Sequence, residues 1–139
     1  MAEDRITKAK ELYKLGEKKL EIAKVCANGG MYRDCVELAY YAVLYGIKAV
    51  FELDFDVPNS QPELFALFHE VYVQELQSFP GEAWDRITSI RALRDLVEYG
   101  ESGSDAAIPN IEDIHKHVET AEYILLLCNI NLVGKGVDV

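Results

Sequence analysis

The stretch Cys35-Val36-Glu37-Leu38-Ala39-Tyr40-Tyr41-Ala42-Val43-Leu44-Tyr45-Gly46-Ile47-Lys48-Ala49-Val50-Phe51 decides the fold class. Only Glu37 and Lys48 interrupt it with charge. It shows no strand-period alternation, and Lys48 leaves its longest apolar run too short for a membrane span. A helix that is apolar on nearly every side must be surrounded by other helices. The segment over residues 31–53 is therefore predicted to be the second and central helix of a bundle.

Working outward, the preceding helix is predicted over 3–27. Ile6, Ala9, Tyr13, Gly16, Leu20, Ala23 and Ala27 recur there at spacings of three and four, which makes one apolar stripe. Asn28-Gly29-Gly30 ends it, because glycine tolerates the left-handed conformation in which helices stop. On the other side, Asp54 to Asn59 is read as a turn. Ser60-Gln61-Pro62-Glu63 has the capping-box pattern and opens a third helix, whose buried side is Leu64, Phe65, Leu67, Phe68, Val71 and Tyr72. That helix ends before Phe79-Pro80-Gly81.

A fourth helix over 82–99 buries Ile87, Ile90, Leu93, Leu96 and Val97, and a flexible loop follows from Gly100 to Asp105. Asn110 and Asp113 cap the last helix, marked by Ile111, Ile114, Val118, Ala121, Leu125, Cys128 and Leu132. Its end, Gly134-Lys135-Gly136, is expected to fray. Short connections between amphipathic helices favour antiparallel neighbours. The expectation is an all-α, up-and-down antiparallel helical bundle of about five helices, one domain over 1–139 with its core roughly over 5–132.

The chain has 139 residues, half of them hydrophobic and 27% charged, so it can bury a core without disulfide or metal. Its net charge is −10, and residues 1–28 carry a balance of +2 against −12 for the remainder. So acidic a body repels phosphate and excludes a broad nucleic-acid footprint, while leaving room for a small cleft with one or two arginines. Lys8, Lys14, Lys18 and Lys19 are interleaved with Glu11, Glu17 and Glu21, the pattern of a solvated face. Cys26, Cys35 and Cys128 form no paired motif and read as core residues of a reducing compartment. No leader-like apolar start and no membrane span are visible, so a cytoplasmic location is expected.

No phosphate-cradling glycine loop, zinc-protease motif or nucleophile elbow occurs. His115 and His117 lie two apart on a helix, about 200° around its axis, and cannot share an ion. Glu112, His115 and Glu119 share a face that reads as solvated surface, so no metal and no cofactor is expected. His69, among Phe65, Phe68 and Tyr72, reads as a half-buried histidine with a local partner. The informative stretch is Ile90 to Gly100. Ile87, Ile90, Arg94 and Val97 are spaced three, four and three, which puts Arg94 at the edge of the buried arc. Arginine is rarely buried without an anion. Two uses of Arg94 follow: a structural pair with Glu98 one turn away, alongside Arg91 with Asp95, or a planar donor fork aimed at phosphate in a cleft that Tyr99 also reaches.

Three segments together resemble the HEPN domain family. Ala39-Tyr40-Tyr41-Ala42 leading into Gly46-Ile47-Lys48-Ala49-Val50 is similar to the family's second-helix pattern AYYA…AKA. Arg94-Asp95-Leu96-Val97-Glu98-Tyr99-Gly100 resembles the form Rxx(A/V)(D/E)Y of one branch. Ala121-Glu122-Tyr123-Ile124 is similar to a pattern of the family's final helix. With the helices between them, these segments cover roughly residues 5–132.

The resemblance implies a homodimeric helical bundle linked to nucleotides or RNA. In the family's ribonuclease branch an arginine is followed, after four to six residues, by histidine, and two such motifs meet across the dimer to cleave RNA without metal. The arginine carries over to Arg94; the histidine positions hold Tyr99, Gly100 and Glu101, none of them an imidazole acid–base. The resemblance therefore implies a non-catalytic domain that binds a nucleotide or a small RNA segment through Arg94, Tyr99, Arg91 and Glu98. It also implies work beside a minimal nucleotidyltransferase in a toxin–antitoxin-like pair. The alternatives are a metal-independent ribonuclease toxin with a degenerate motif and a purely structural helical adaptor. The apolar second helix, with the nearly apolar run from Tyr123 to Leu132, adds an expectation of a homodimer.

Overall fold

A long apolar helix with a glycine in its middle can receive a neighbour at close range, and the fold is arranged around that possibility. The computed structural model describes residues 2–99 and 111–139. They form five α-helices: α1 (Ala2–Asn28), α2 (Tyr32–Asp54), α3 (Gln61–Phe68), α4 (Gly81–Tyr99) and α5 (Ile111–Gly134). No strand occurs among the described residues, so the protein is an all-α bundle. None of its described helices is long and apolar enough to cross a membrane.

α1 and α2 form an antiparallel hairpin. Gly30 adopts φ 79°, and the Met31 N–H bonds the Cys26 carbonyl at 2.8 Å, closing α1 in the manner its glycines predict. At the other end of the hairpin, Arg5 reaches the Glu52 carbonyl at 3.1 Å and the Asp56 carboxylate at 2.9 Å. α5 fills the groove over both helices. A Cβ placed on Gly46 would lie 2.8 Å from a Leu125 methyl and 3.2 Å from the Cys128 sulfur; one on Gly16 would lie 3.0 Å from the Ala42 carbonyl and 3.4 Å from Leu125. Leu125 therefore occupies a notch cut by two glycines.

The connection from α2 to α3 is a return rather than a tight turn. The Tyr40 hydroxyl meets the Gln61 side chain at the start of α3, while the Tyr72 hydroxyl lies 2.5 Å from Asp54 at the end of α2. α3 thus runs in the same direction as α2. Tyr40 and Asp54 are about 21 Å apart along the helix axis, and the link spans much of that distance in extended conformation, beginning at Phe55 (φ −145°, ψ 165°). Ser60 caps α3 as its sequence predicts, accepting from the Glu63 N–H at 3.4 Å.

The third helix continues as a π-helical segment over His69–Glu75, which the sequence pattern does not reveal. Its carbonyls reach one residue further than in an α-helix, with the Leu76 N–H on the Val71 carbonyl at 2.8 Å. The wider turn delivers Tyr72, fully buried, into a cluster of Phe51, Phe68 and Phe79, with centroid separations of 5.2, 5.5 and 6.3 Å. His69, half-buried as expected, stacks on Trp84 at 4.4 Å.

Three expectations need correction. α2 is not enclosed on every side: Leu38, Tyr41, Tyr45 and Lys48 form a half-exposed row, because α1, α4 and α5 cover only the remaining arc. The chain end does not fray. Gly136 at φ 89° closes α5, the Val137 N–H bonds the Leu132 carbonyl at 3.0 Å, Val137 is buried, and Lys135 pairs with Asp54 over the Tyr72 ring. The third concerns Leu96, read with the buried face of α4 but 52% exposed. His117, by contrast, is 7% exposed, and no hydrogen-bond partner among the described residues reaches its Nε2. The Asn110 cap and the Gly100–Asp105 loop lie outside the described residues.

Two outcomes follow from this packing. Gly46→Ala gains about 1 kcal/mol of helix propensity against its clash. Gly46→Val loses most of that compensation, drives two methyls toward Leu125 and Cys128, and is expected to destabilise the fold by about 1–3 kcal/mol in urea unfolding. Burial holds the His117 imidazole down at about 4. Between the unfolded value of about 6.5 and that folded value, the unfolded chain binds a proton that the fold refuses. Stability should therefore fall as pH drops from 6.5 toward 4, by up to about 3 kcal/mol, and the His117→Leu variant should lose this contribution.

Candidate functional site

α4 carries Arg91 and Arg94 one turn apart, and each guanidinium lies over a ring supplied by a different helix. Arg94 sits 4.6 Å above Tyr40 of α2, and Arg91 sits 4.2 Å above Phe65 of α3. Between them opens a cleft of about 460 Å³, rimmed by Ser60, Gln61 and Pro62 at the start of α3 and by Asp95. The extended return from α2 is what brings the start of α3 to this place. An arginine over an aromatic face covers its apolar π surface and leaves the donors at its edge open to polar partners.

Arg94 is 12% exposed, and such burial of a cation requires an anion. Its Nε meets Glu98 at 2.8 Å, one turn on, and its Nη1 meets Asp95 at 3.5 Å. The two readings of Arg94 therefore coexist: the ion pair with Glu98 is formed, and the same guanidinium borders a cleft. The Nε–Glu98 contact is an ion pair at short range without hydrogen-bond geometry. Asp95, at the longer distance and with a 62% exposed side chain, is the partner that an incoming anion can displace most easily. Asp95 pairs with Arg94, whereas the sequence spacing had pointed it toward Arg91.

Burial raises the Tyr40 phenol, against the opposing pull of Arg94 and Arg91. Tyr40 is therefore protonated at neutral pH, donates to Gln61, and serves the site with its ring face rather than as a base. On the other side of Arg94 a smaller hollow of about 130 Å³ is walled by Arg33, Glu37, Val97 and Glu98. Arg33 donates to the Val97 carbonyl at 2.7 Å and so satisfies the last turn of α4. No histidine lines either hollow among the described residues, and no group of metal-ligating side chains occurs among them.

Of the expected site residues, Arg91 and Arg94 line the same cleft, while Glu98 lines the smaller hollow on the other side of Arg94. The backbone of α4 runs through Tyr99, whose side chain lies outside the described residues. Sequence reasoning missed Tyr40, Phe65 and Gln61 as site residues. Tyr40 was visible within the Ala39–Ala42 motif, but its contact with Arg94 is made between helices and has no local spacing to betray it. Removing the stacked, paired side chain by Arg94→Ala should cost about 1–2 kcal/mol in urea unfolding, and the loss should shrink in a Tyr40→Leu background if the ring contact carries part of it.

The pairing of Tyr40 with Arg94 joins two of the three segments that carried the family resemblance. No curated protein sequence matches the chain. The sequence model of the HEPN domain family matches residues 9–131, which takes in α2, α3 and α4 whole and most of α1 and α5. With this match over most of its length and its all-α bundle, the chain belongs to the HEPN domain family, whose members are nucleotide- and RNA-associated domains.

Proposed function

We propose that the protein binds a phosphate-bearing ligand, a nucleotide or the end of a small RNA segment, in the cleft between Arg91 and Arg94, and does not cleave RNA. The observation that carries this reading is the pose of Arg94, stacked on Tyr40 at 4.6 Å and anchored at Nε by Glu98 at 2.8 Å beside an open cleft. A guanidinium held in this way is already ordered, which lowers the cost of exchanging one of its partners for a phosphate. Arg91 supplies a second charge, and the rings of Tyr40 and Phe65 make the site partly aromatic, as suits a base or ribose alongside the phosphate.

Tyr99, the last residue of α4, belongs to the same proposal as a group that contacts the ligand or is modified by a partner enzyme. The chain would act as one HEPN unit over 1–139, working with a nucleotidyltransferase protein in a toxin–antitoxin-like pair, in the cytoplasm. A homodimer completes the reading: the row of Leu38, Tyr41 and Tyr45 on α2, with Met31 at 53% exposure nearby, is the kind of apolar surface a second copy covers.

A second reading has support of its own. The carboxylates of Glu98 and Asp95 already balance Arg94, which is what a purely structural helical adaptor needs.

Thermal melts separate the readings. At a hundred times its dissociation constant, AMP, ATP or a short 5′-phosphorylated RNA should stabilise the wild type by about 2.7 kcal/mol. Arg91→Ala and Arg94→Lys should remove most of that response while remaining folded, since lysine offers a point charge in place of a fork. The RNA should emerge uncut. A flat response to every ligand, with a destabilised Arg94→Ala, would establish the adaptor. Cleavage that disappears in Arg94→Ala would establish a ribonuclease.

A further inference from the structure

A second hollow among the described residues is larger than the arginine cleft and shares no residue with it. It is a groove of about 610 Å³ between α1 and α5. Its floor is apolar, built from Tyr13, Leu20 and Leu125, and it is continuous with Leu126 on its α5 edge. Beyond that edge the outward face of α5 stays apolar where a solvent-facing helix should be polar. Leu126, Ile130 and Val133, at spacings of four and three, are 56%, 59% and 52% exposed. Leucine, isoleucine and valine stacked along one outer face of a helix make a contiguous patch rather than scattered exposure.

The rim has one dominant charge. Glu17 and Glu21 stand on the α1 side and Glu119 on the α5 side, all exposed. The one lysine of the rim, Lys24, is engaged with Glu122 at 3.2 Å, and Arg86 of α4 lies over the Tyr123 ring at 4.6 Å. The uncompensated charge of the groove is therefore negative, set beside an apolar strip.

We infer that this groove is the docking site for a basic, amphipathic helical segment of a partner protein. Apolar side chains of that segment cover Leu20, Leu126 and Ile130, and its lysines or arginines meet Glu17, Glu21 and Glu119. The charge decides the occupant. A second copy of this chain on a symmetric axis would bring carboxylate against carboxylate, in a protein whose net charge is already −10. Nucleic acid is repelled for the same reason. A small polycation would satisfy the glutamates but leave the Leu126–Ile130–Val133 strip wet. A helix with one basic and one apolar face answers both features, and the α5 face from Glu119 to Val133, about 21 Å long, matches a segment of about 14 residues.

The test uses two fluorescent probe peptides of that length, one an amphipathic helix of leucine and lysine, the other its leucine and glutamate counterpart. The wild type should bind the first and not the second. Leu126→Ser with Ile130→Ser, which leaves every charge in place, should weaken binding at least about tenfold. Reversing the rim (Glu17→Lys, Glu21→Lys, Glu119→Lys) should switch preference to the acidic peptide. Reversing Glu63, Glu70 and Glu75, exposed on α3 and the π-helical segment, should change affinity by no more than about twofold. In the unmutated protein, the methyl resonances of Leu126 and Ile130 should shift on titration with the basic peptide. The inference is overturned if those methyls stay still, if rim reversal and remote reversal act alike, or if light scattering shows a dimer that Leu126→Ser with Ile130→Ser converts to monomer.

Discussion

Leu125 lies in a notch cut by two glycines, and the rest of the structure depends on that contact. Gly16 lets α1 come within van der Waals range of the Ala42 carbonyl, and Gly46 lets α5 press its Leu125 and Cys128 against the α2 backbone. Any larger side chain at Gly46 would push α5 away. The buried row of α5, Ile114, Val118, Ala121, Leu125, Cys128 and Leu132, would then lose its register against α2. The notch therefore acts well beyond its own volume. It fixes α2 between two long helices, so that only one arc of α2, including Tyr40, is left for α3 and α4 to cover.

That arc is where the chemistry gathers. A tight turn after α2 would have placed α3 at the far end of the bundle. The extended link and the π-helical segment instead pin α3 at both ends, by Tyr40 on Gln61 and by Tyr72 on Asp54. The cost includes Gln77, a non-glycine residue held at φ 52° just after the π-helical segment. What the arrangement achieves is a cleft with two arginines of α4 backed by rings of α2 and α3. The electrostatics are local. A chain with net charge −10 cannot collect phosphate over its whole surface, but a half-buried guanidinium acts over a few ångströms, where the distant carboxylates are screened.

Much of this was legible in the residues. Apolar spacing located α1, α2, α4 and α5 to within a residue or two, and Gly29-Gly30 and Ser60 marked boundaries the structure keeps; the third helix reads as running to just before Phe79, whereas α3 ends at Phe68 and its π-helical continuation at Glu75. The placement of Arg94 at the edge of the buried arc was also readable, because an arginine in an apolar spacing must find an anion. What was not legible arises between elements. Tyr40 under Arg94 and Phe65 under Arg91 depend on how three helices cross, which no local period encodes. The π-helical turn at His69–Glu75 leaves no signature in a sequence that already looks like a helix. The chain end misled for a related reason: Gly134-Lys135-Gly136 has the composition of a frayed tail, yet the lysine finds Asp54 and Val137 finds the core.

The central claim is that Arg94, stacked on Tyr40, receives a phosphate. Arginine side-chain NMR tests it most directly, because the Nη–H resonances of Arg94 and Arg91 report on the donors that a phosphate would engage. Titration with AMP should move both resonances along one saturating curve, and adenosine, which has the base and ribose but no phosphate, should leave Arg94 nearly unmoved. If AMP leaves the Arg94 resonance where it stands, or if adenosine moves it equally, the guanidinium is only the partner of Glu98 and Asp95, and the account of the cleft is wrong.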